Sequence, residues 1–165
     1  MKKDKFKIRP ISKQDKLWVR DTLIREWGSL QIVSRGKVFT GDKLPGFVAE
    51  SEDQDRLGLI TYFISGEDCE IVTLNSFFCN KGIGTALIEK VKNIAISNGC
   101  NRIFVVTTNN NLEAQKFYQN RGFILKRIYP NAVENSRKLK PQIPFKDEKG
   151  RLIKDEIELE IILIL

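Results

Sequence analysis

An apolar run over residues 69–78 leads without a spacer into Cys79-Asn-Lys-Gly-Ile-Gly84, and from Ala86 onward the apolar residues take helical spacing. A strand, a glycine-bearing loop and a helix in immediate succession call for a fold in which a helix starts at the end of a strand and lies back over a sheet. Ala86, Leu87, Val91, Ile94 and Ala95 share one helical face, and Asn98-Gly99 supplies a stop. The first turn of such a helix presents unpaired N–H groups and the positive end of its dipole. Glycines let an anion approach that backbone closely, so the loop suits a pyrophosphate; taken alone, G-x-G serves a tight strand-to-helix turn equally well. The third glycine of a dinucleotide-binding fingerprint is missing, since position 87 is Leu, and no Gly-Lys-Ser/Thr follows as in a P-loop.

The other apolar runs complete a sheet around this unit. Residues 6–10 alternate as a first strand. Ser12 with Asp15 three residues on marks a helix start, and Leu17, Trp18, Leu23, Ile24 and Trp27 supply its apolar content up to Gly28. Residues 37–40 form a short strand, and 47–50 and 57–65 pair as a hairpin across a polar turn before the run at 69–78. Further on come a buried strand at 102–107, a helix at 112–121 with Ala114, Phe117 and Tyr118 inward, and a strand at 123–128. Residues 129–154 are polar and irregular, with a short helix near 131–137, and 156–165 form the last strand. The expected fold class is α/β of the mixed α+β kind. It comprises one domain over 1–165, with a central, mixed, mostly antiparallel sheet of about seven strands and helices on both faces.

Composition removes several chemistries. There is no His among the 165 residues, which excludes Ser-His-Asp and Cys-His catalysis and His-ligated metals. Cys69, Cys79 and Cys100 form no C-x-x-C pair, so neither a zinc ribbon nor a disulfide framework is expected, no metal is expected, and a reducing cytoplasm fits. The N-terminal residues carry no apolar core of a signal peptide, and no apolar segment approaches the ~20 residues needed to span a bilayer, so no membrane association is expected. The formal charge is +7, densest at Lys126, Arg127, Arg137, Lys138 and Lys140, which is a solvated loop or an attractor for an anionic ligand. No RNA-type aromatic motif or recognition helix accompanies it, so nucleic acid is not an expected partner.

Beyond the 79–84 loop and its helix, one strand later, stands Asn111-Leu-Glu-Ala114-Gln-Lys-Phe117-Tyr118, followed by Gly122-Phe123. In combination the two segments resemble the GNAT superfamily of acetyl-CoA-dependent N-acetyltransferases. Its signatures are Gln/Arg-x-x-Gly-x-Gly/Ala after the fourth strand and Asn-x-x-Ala-x-x-Phe/Leu-Tyr before a Gly-Phe. The element order matches from residue 6 to about 128. Cys79 departs from the pattern, standing where the family has Gln or Arg; the position offers mainly its backbone N–H, so binding should survive.

The resemblance implies a fold whose fourth and fifth strands splay apart, with the pantetheine arm of coenzyme A lying between them. By that resemblance the backbone of Leu74 and Ser76 would hold the arm and the thioester carbonyl. The amides of Lys81, Gly82, Ile83, Gly84 and Thr85 would hold the pyrophosphate. Asn111 would hydrogen-bond the pantetheine region, and it is also a natural cap for its own helix. Tyr118 would protonate the departing thiolate, or else pack beside the cofactor. Some relatives use an acid on the fourth strand as base through water. Glu70, four residues before Leu74 and six before Ser76, shares their face if no bulge intervenes, with Glu26 as the second candidate. Arg35 is a candidate partner for an acceptor carboxylate. The implied activity is acetyl transfer from acetyl-CoA to a primary amine of a small-molecule or peptide acceptor, by direct attack in a ternary complex. The alternative is a CoA-binding sensor or interaction module without turnover. A homodimer is left open.

Overall fold

Short polar turns and glycines set the limits of the elements in a computed structural model that describes residues 5–163. In chain order these are β1 (Phe6–Pro10), α1 (Lys16–Trp27), β2 (Gln31–Ser34), β3 (Lys37–Thr40), β4 (Gly46–Ser51), β5 (Arg56–Ser65) and β6 (Asp68–Ser76). They are followed by α2 (Ile83–Ser97), β7 (Arg102–Thr108), α3 (Leu112–Gln119), β8 (Ile124–Tyr129), α4 (Ala132–Leu139) and β9 (Glu156–Ile162). The last two residues of the expected final strand, and the first four of the N-terminal stretch, lie outside the described residues. Among the described residues no helix is long and apolar enough to cross a membrane.

Seven strands form one sheet in the order β1-β4-β5-β6-β7-β9-β8, as expected in number and mostly antiparallel sense. Among the described residues the one parallel pair is β6 with β7, joined through α2. The two further strands, β2 and β3, make a separate hairpin that the sequence had supplied only in half. Its turn, Arg35-Gly36, takes positive φ at both residues (49° and 74°), the conformation that a two-residue hairpin loop requires.

Both faces of the large sheet are covered. On one face Ile83, Leu87, Ile88, Val91 and Ala95 of α2 pack on Ile60, Ile71, Ile103, Val105 and Leu159. On the other, Val19 and Leu23 of α1 meet Val48 and Leu59, while Ile32 and Phe39 of the hairpin meet Val72. Leu17 and Ile24, part of the helix's apolar content, are nevertheless 76% and 50% exposed. The stripe that faces the sheet runs through 19 and 23, and residues 17 and 24 lie roughly 100° or more around the helix from it.

The start of α1 is anchored electrostatically. Asp15 is fully buried and accepts hydrogen bonds from the Ser12 backbone N–H (2.8 Å), from both terminal nitrogens of Arg9 (2.7 and 2.9 Å) and from Arg56 Nε (2.9 Å). The Arg9 hydrogen bonds hold its carboxyl well below the usual range.

Two irregularities coincide in β6. Thr61 pairs with Thr73 but Tyr62 pairs with Ile71, so Val72 is an extra residue in the ladder, a bulge. On the opposite edge, pairing with β7 runs from Asp68↔Arg102 to Ile71↔Val105 and stops, although β6 continues to Ser76 and β7 to Thr108. From the bulge onward the two central strands diverge.

Candidate active site

The divergence opens a cleft of about 300 Å³ through the sheet. Val72 and Leu74 of β6 and Val105, Val106 and Thr107 of β7 form its walls. Asn111, Ala114 and Tyr118 close it on the α3 side, and Glu26, Trp27 and Asn75 on the α1 side. Leu74 pairs with Ile60 and Ser76 with Gly58, so both lie on the stretch of β6 that β7 has left. Backbone groups on the gap side of such strands have no ladder partner and can hydrogen-bond an extended ligand.

Beyond the end of β6 the loop reaches α2 through two left-handed residues, Asn80 (φ 59°) and Gly82 (φ 75°). Lys81 is exposed on this loop. A Cβ on Gly82 would meet nothing within 4 Å, so the space in front of the first amides of α2 is open to an anion. Gly84 has a different reason. A Cβ there would lie 2.8 Å from Cζ of Phe117, so this glycine seats an aromatic ring of α3. Arg121 adds to the same joint: its guanidinium lies 3.4 Å over the Phe117 ring and its Nε donates to Thr85 Oγ1 at 2.9 Å. The signatures at 82–84 and 111–123 thus touch each other.

Asn111 caps its own helix and also borders the cleft; its Oδ1 accepts from Ala114 N at 3.1 Å. Tyr118 is buried and lies edge-on to Phe117 and Phe123, each at 5.2 Å. Among the described residues none hydrogen-bonds its phenol, and burial pushes that phenol well above its ordinary value. Tyr118 thus borders the cleft with its hydroxyl unpartnered among the described residues.

Glu70 is placed elsewhere. The Val72 bulge breaks the even spacing, so Leu74 packs toward α2 while Glu70 faces the hairpin and accepts from Ser34 Oγ at 2.6 Å. It is 4% exposed and does not line the cleft. Burial pushes its carboxyl up, against the opposing pull of Ser34, Arg35 and Lys37. Glu26 does line the cleft. Arg35 is engaged away from it: its backbone N–H donates to Glu156, its guanidinium to Glu158 at 3.2 Å, and it lies 4.5 Å over the Phe104 ring. The C-terminal basic patch also disperses, because Lys140 donates to the carbonyls of Trp27 and Gln31 and Arg137 to those of Ile143, Pro144 and Ile153.

Two features escaped the sequence reading. Asn75, a cleft residue, was signalled only by its polarity within an apolar strand. Glu156, Glu158 and Glu160 are all buried on one face of β9, and their strict alternation with Ile157 and Leu159 is the pattern that would have found them.

Comparison with known proteins gives a consistent picture. The family model described as "Acetyltransferase (GNAT) family" matches residues 12–123. Two Bacillus subtilis (strain 168) proteins are similar over most of their length. One is "Uncharacterized protein YdhI", 44% identical over 150 residues, 91% of this chain and 94% of that one. The other is "Uncharacterized protein YxbD", 42% identical over 135 residues, 82% and 85% of the two chains. Among solved structures, a Bacillus subtilis acetyltransferase in complex with CoA superposes with a TM-score of 0.69 at 17% identity, covering 97% of this chain and 100% of that one. A GNAT family acetyltransferase from Elizabethkingia anophelis with acetyl-CoA bound gives 0.66 at 22% identity, covering 97% and 99%.

Proposed function

The chain belongs to the GNAT acetyltransferase family, and from that premise we propose that it transfers an acetyl group from acetyl-CoA to the primary amine of a small-molecule or peptide acceptor, in a ternary complex. The observation that carries this is the juxtaposition of the β6–β7 gap with the open, glycine-flanked start of α2. An extended pantetheine arm fits the gap, held by main-chain groups around Leu74 and Ser76. Its pyrophosphate falls at the amides of residues 81–85, where the helix terminus favours negative charge. Asn111 borders the arm. Acetyl-CoA is co-substrate; no metal enters the chemistry proposed.

The amine attacks as its free base through its nitrogen lone pair. The C–N bond forms and the C–S bond breaks, the sulfur leaving as a thiolate. Tyr118 gives its phenolic proton to that thiolate. That phenol lines the cleft and, among the described residues, has no hydrogen-bond partner holding its proton, which leaves the proton free for the sulfur. The proton released by the attacking nitrogen passes to water in the cleft, and the Tyr118 phenolate regains a proton from that solvent, which restores the starting state. Glu70, turned toward Ser34, is assigned no direct proton transfer. A cytoplasmic location is supported by three free cysteines.

The test is binding followed by turnover. Acetyl-CoA at millimolar concentration should raise the melting temperature by mass action, and release of CoA thiol should then depend on an added amine. No thermal shift would remove the proposal. A shift without turnover of any amine would leave a CoA-binding module.

A further inference from the structure

The two mouths of the cleft differ in chemistry. The α3 mouth carries Asn111, Ala114 and Tyr118; the α1 mouth carries Glu26, Trp27 and Asn75. Trp27 is held there from two sides. Its indole N–H donates to Asn75 Oδ1 at 2.9 Å, and its carbonyl accepts from Lys140 Nζ at 2.6 Å. Among the described residues neither Lys nor Arg lines the cleft. Arg35 is bound to Glu158 and to the Phe104 ring, and Lys140 is engaged with main-chain carbonyls. Arg25 pairs with Glu26 at 3.0 Å but lies over Phe77, outside the lining. That pair is solvent-exposed and correspondingly weak, and it leaves Glu26 Oε2 for another donor.

With the donor placed on the α2 and α3 side, the α1 mouth is left for the acceptor; among the described residues its lining carries one negative charge, Glu26, and no positive one, and that charge stands beside an indole. A carboxylate and an aromatic face both attract an ammonium group. An acceptor carrying a carboxylate or phosphate beside its amine would meet Glu26 with no cation among the described lining residues to receive it. The reacting nitrogen must itself be neutral at attack, so a positive charge that Glu26 reads throughout the reaction belongs to a second group on the acceptor.

Resting on the acetyl-transfer proposal, we infer that the acceptor is a primary amine bearing a second cationic group and no anion next to its amine, such as a diamine, and that Glu26 and Trp27 at the α1 mouth recognise it. Trp27 gives the ammonium a fixed aromatic surface, and Asn75 keeps the indole in place.

The experiment compares three acceptors at fixed acetyl-CoA, reading CoA thiol release: 1,4-diaminobutane, its carboxylated counterpart ornithine, and 1-aminobutane, which lacks the second cation. The kcat/KM of diaminobutane should exceed that of each of the others by ~5-fold or more, the scale of one partly exposed charge pair. Glu26→Gln should remove its advantage over aminobutane through KM, with the acetyl-CoA KM as internal control. Ornithine equal to or better than diaminobutane would overturn the inference. So would an advantage that persists in Glu26→Gln, or a loss confined to kcat. Acetyl-CoA binding by thermal shift is measured alongside: its absence removes the acetyl-transfer proposal itself, whereas intact binding with no turnover of these amines overturns this inference alone.

Discussion

Gly84 and Phe117 are in contact across the joint between α2 and α3, and a single methyl group on Gly84 would come within 2.8 Å of the ring. Gly84→Ala should therefore destabilise the protein by about 1–3 kcal/mol, the usual range for overpacking. Adding Phe117→Leu to the same chain should recover most of it, read as urea midpoints. Equal losses in the single and double variants would show that the ring is not the obstacle.

Gly82 should respond differently. Nothing surrounds its missing side chain, and its φ is 75°. Gly82→Ala should cost about 1–2 kcal/mol for the left-handed backbone and should weaken acetyl-CoA in a titration. Phe117→Leu should rescue neither effect. Unchanged cofactor affinity would move the pyrophosphate away from this loop.

Tyr118→Phe preserves the ring contacts with Phe117 and Phe123 and removes the proton. The rate of chemistry should fall by ~10²–10⁴, the span of general acid catalysis. The loss should appear in kcat, with acetyl-CoA affinity nearly unchanged. A wild-type kcat would reduce Tyr118 to packing.

The parts of the site that were legible in the sequence are those whose cause is local. The glycine loop, the Asn111 cap and the Phe117-Tyr118 pair each depend on residues a few positions apart. Glu70 was misplaced because a bulge is a relation between two strands: Val72 becomes an extra residue only against Thr61 and Tyr62 of β5. The first strand of the hairpin, Gln31–Ser34, is too short to show a period. Lys140 and Arg137 read as a solvated loop or an attractor for an anion, because their partners are carbonyls of segments that only the fold brings against them.

Asp15 should give the molecule an acid limb. Its carboxyl ionises below the unfolded value of 3.8, so the stabilisation is fully present above that value and is lost as pH falls through the native one. Urea midpoints should decline on acidification from about pH 5. Asp15→Asn should flatten that decline and cost about 3 kcal/mol at neutral pH, by leaving Arg9 and Arg56 without their shared partner. An unchanged acid limb in the variant would place its origin elsewhere.

The three thiols should separate under a colorimetric thiol reagent. Cys79 is exposed, whereas Cys69 and Cys100 are buried, and burial pushes the Cys69 thiol up to about 12. The native protein should release colour for Cys79 alone, and for all three cysteines once unfolded. Cys79→Ala should abolish the native signal and keep most acetyl transfer; complete loss of activity would assign the thiol a chemical role.

The early end of the β6–β7 ladder at Ile71 and Val105 has an evolutionary consequence. A gap that holds its ligand through main-chain groups reads almost nothing of the side chains around it. Where the gap holds acetyl-CoA as proposed, drift along residues 72–76 and 105–108 would reshape the acceptor mouth while the donor arm keeps its grip. Under that proposal a gene of this design would change the amine it serves by single substitutions, without passing through an ancestor that has lost the acetyl donor.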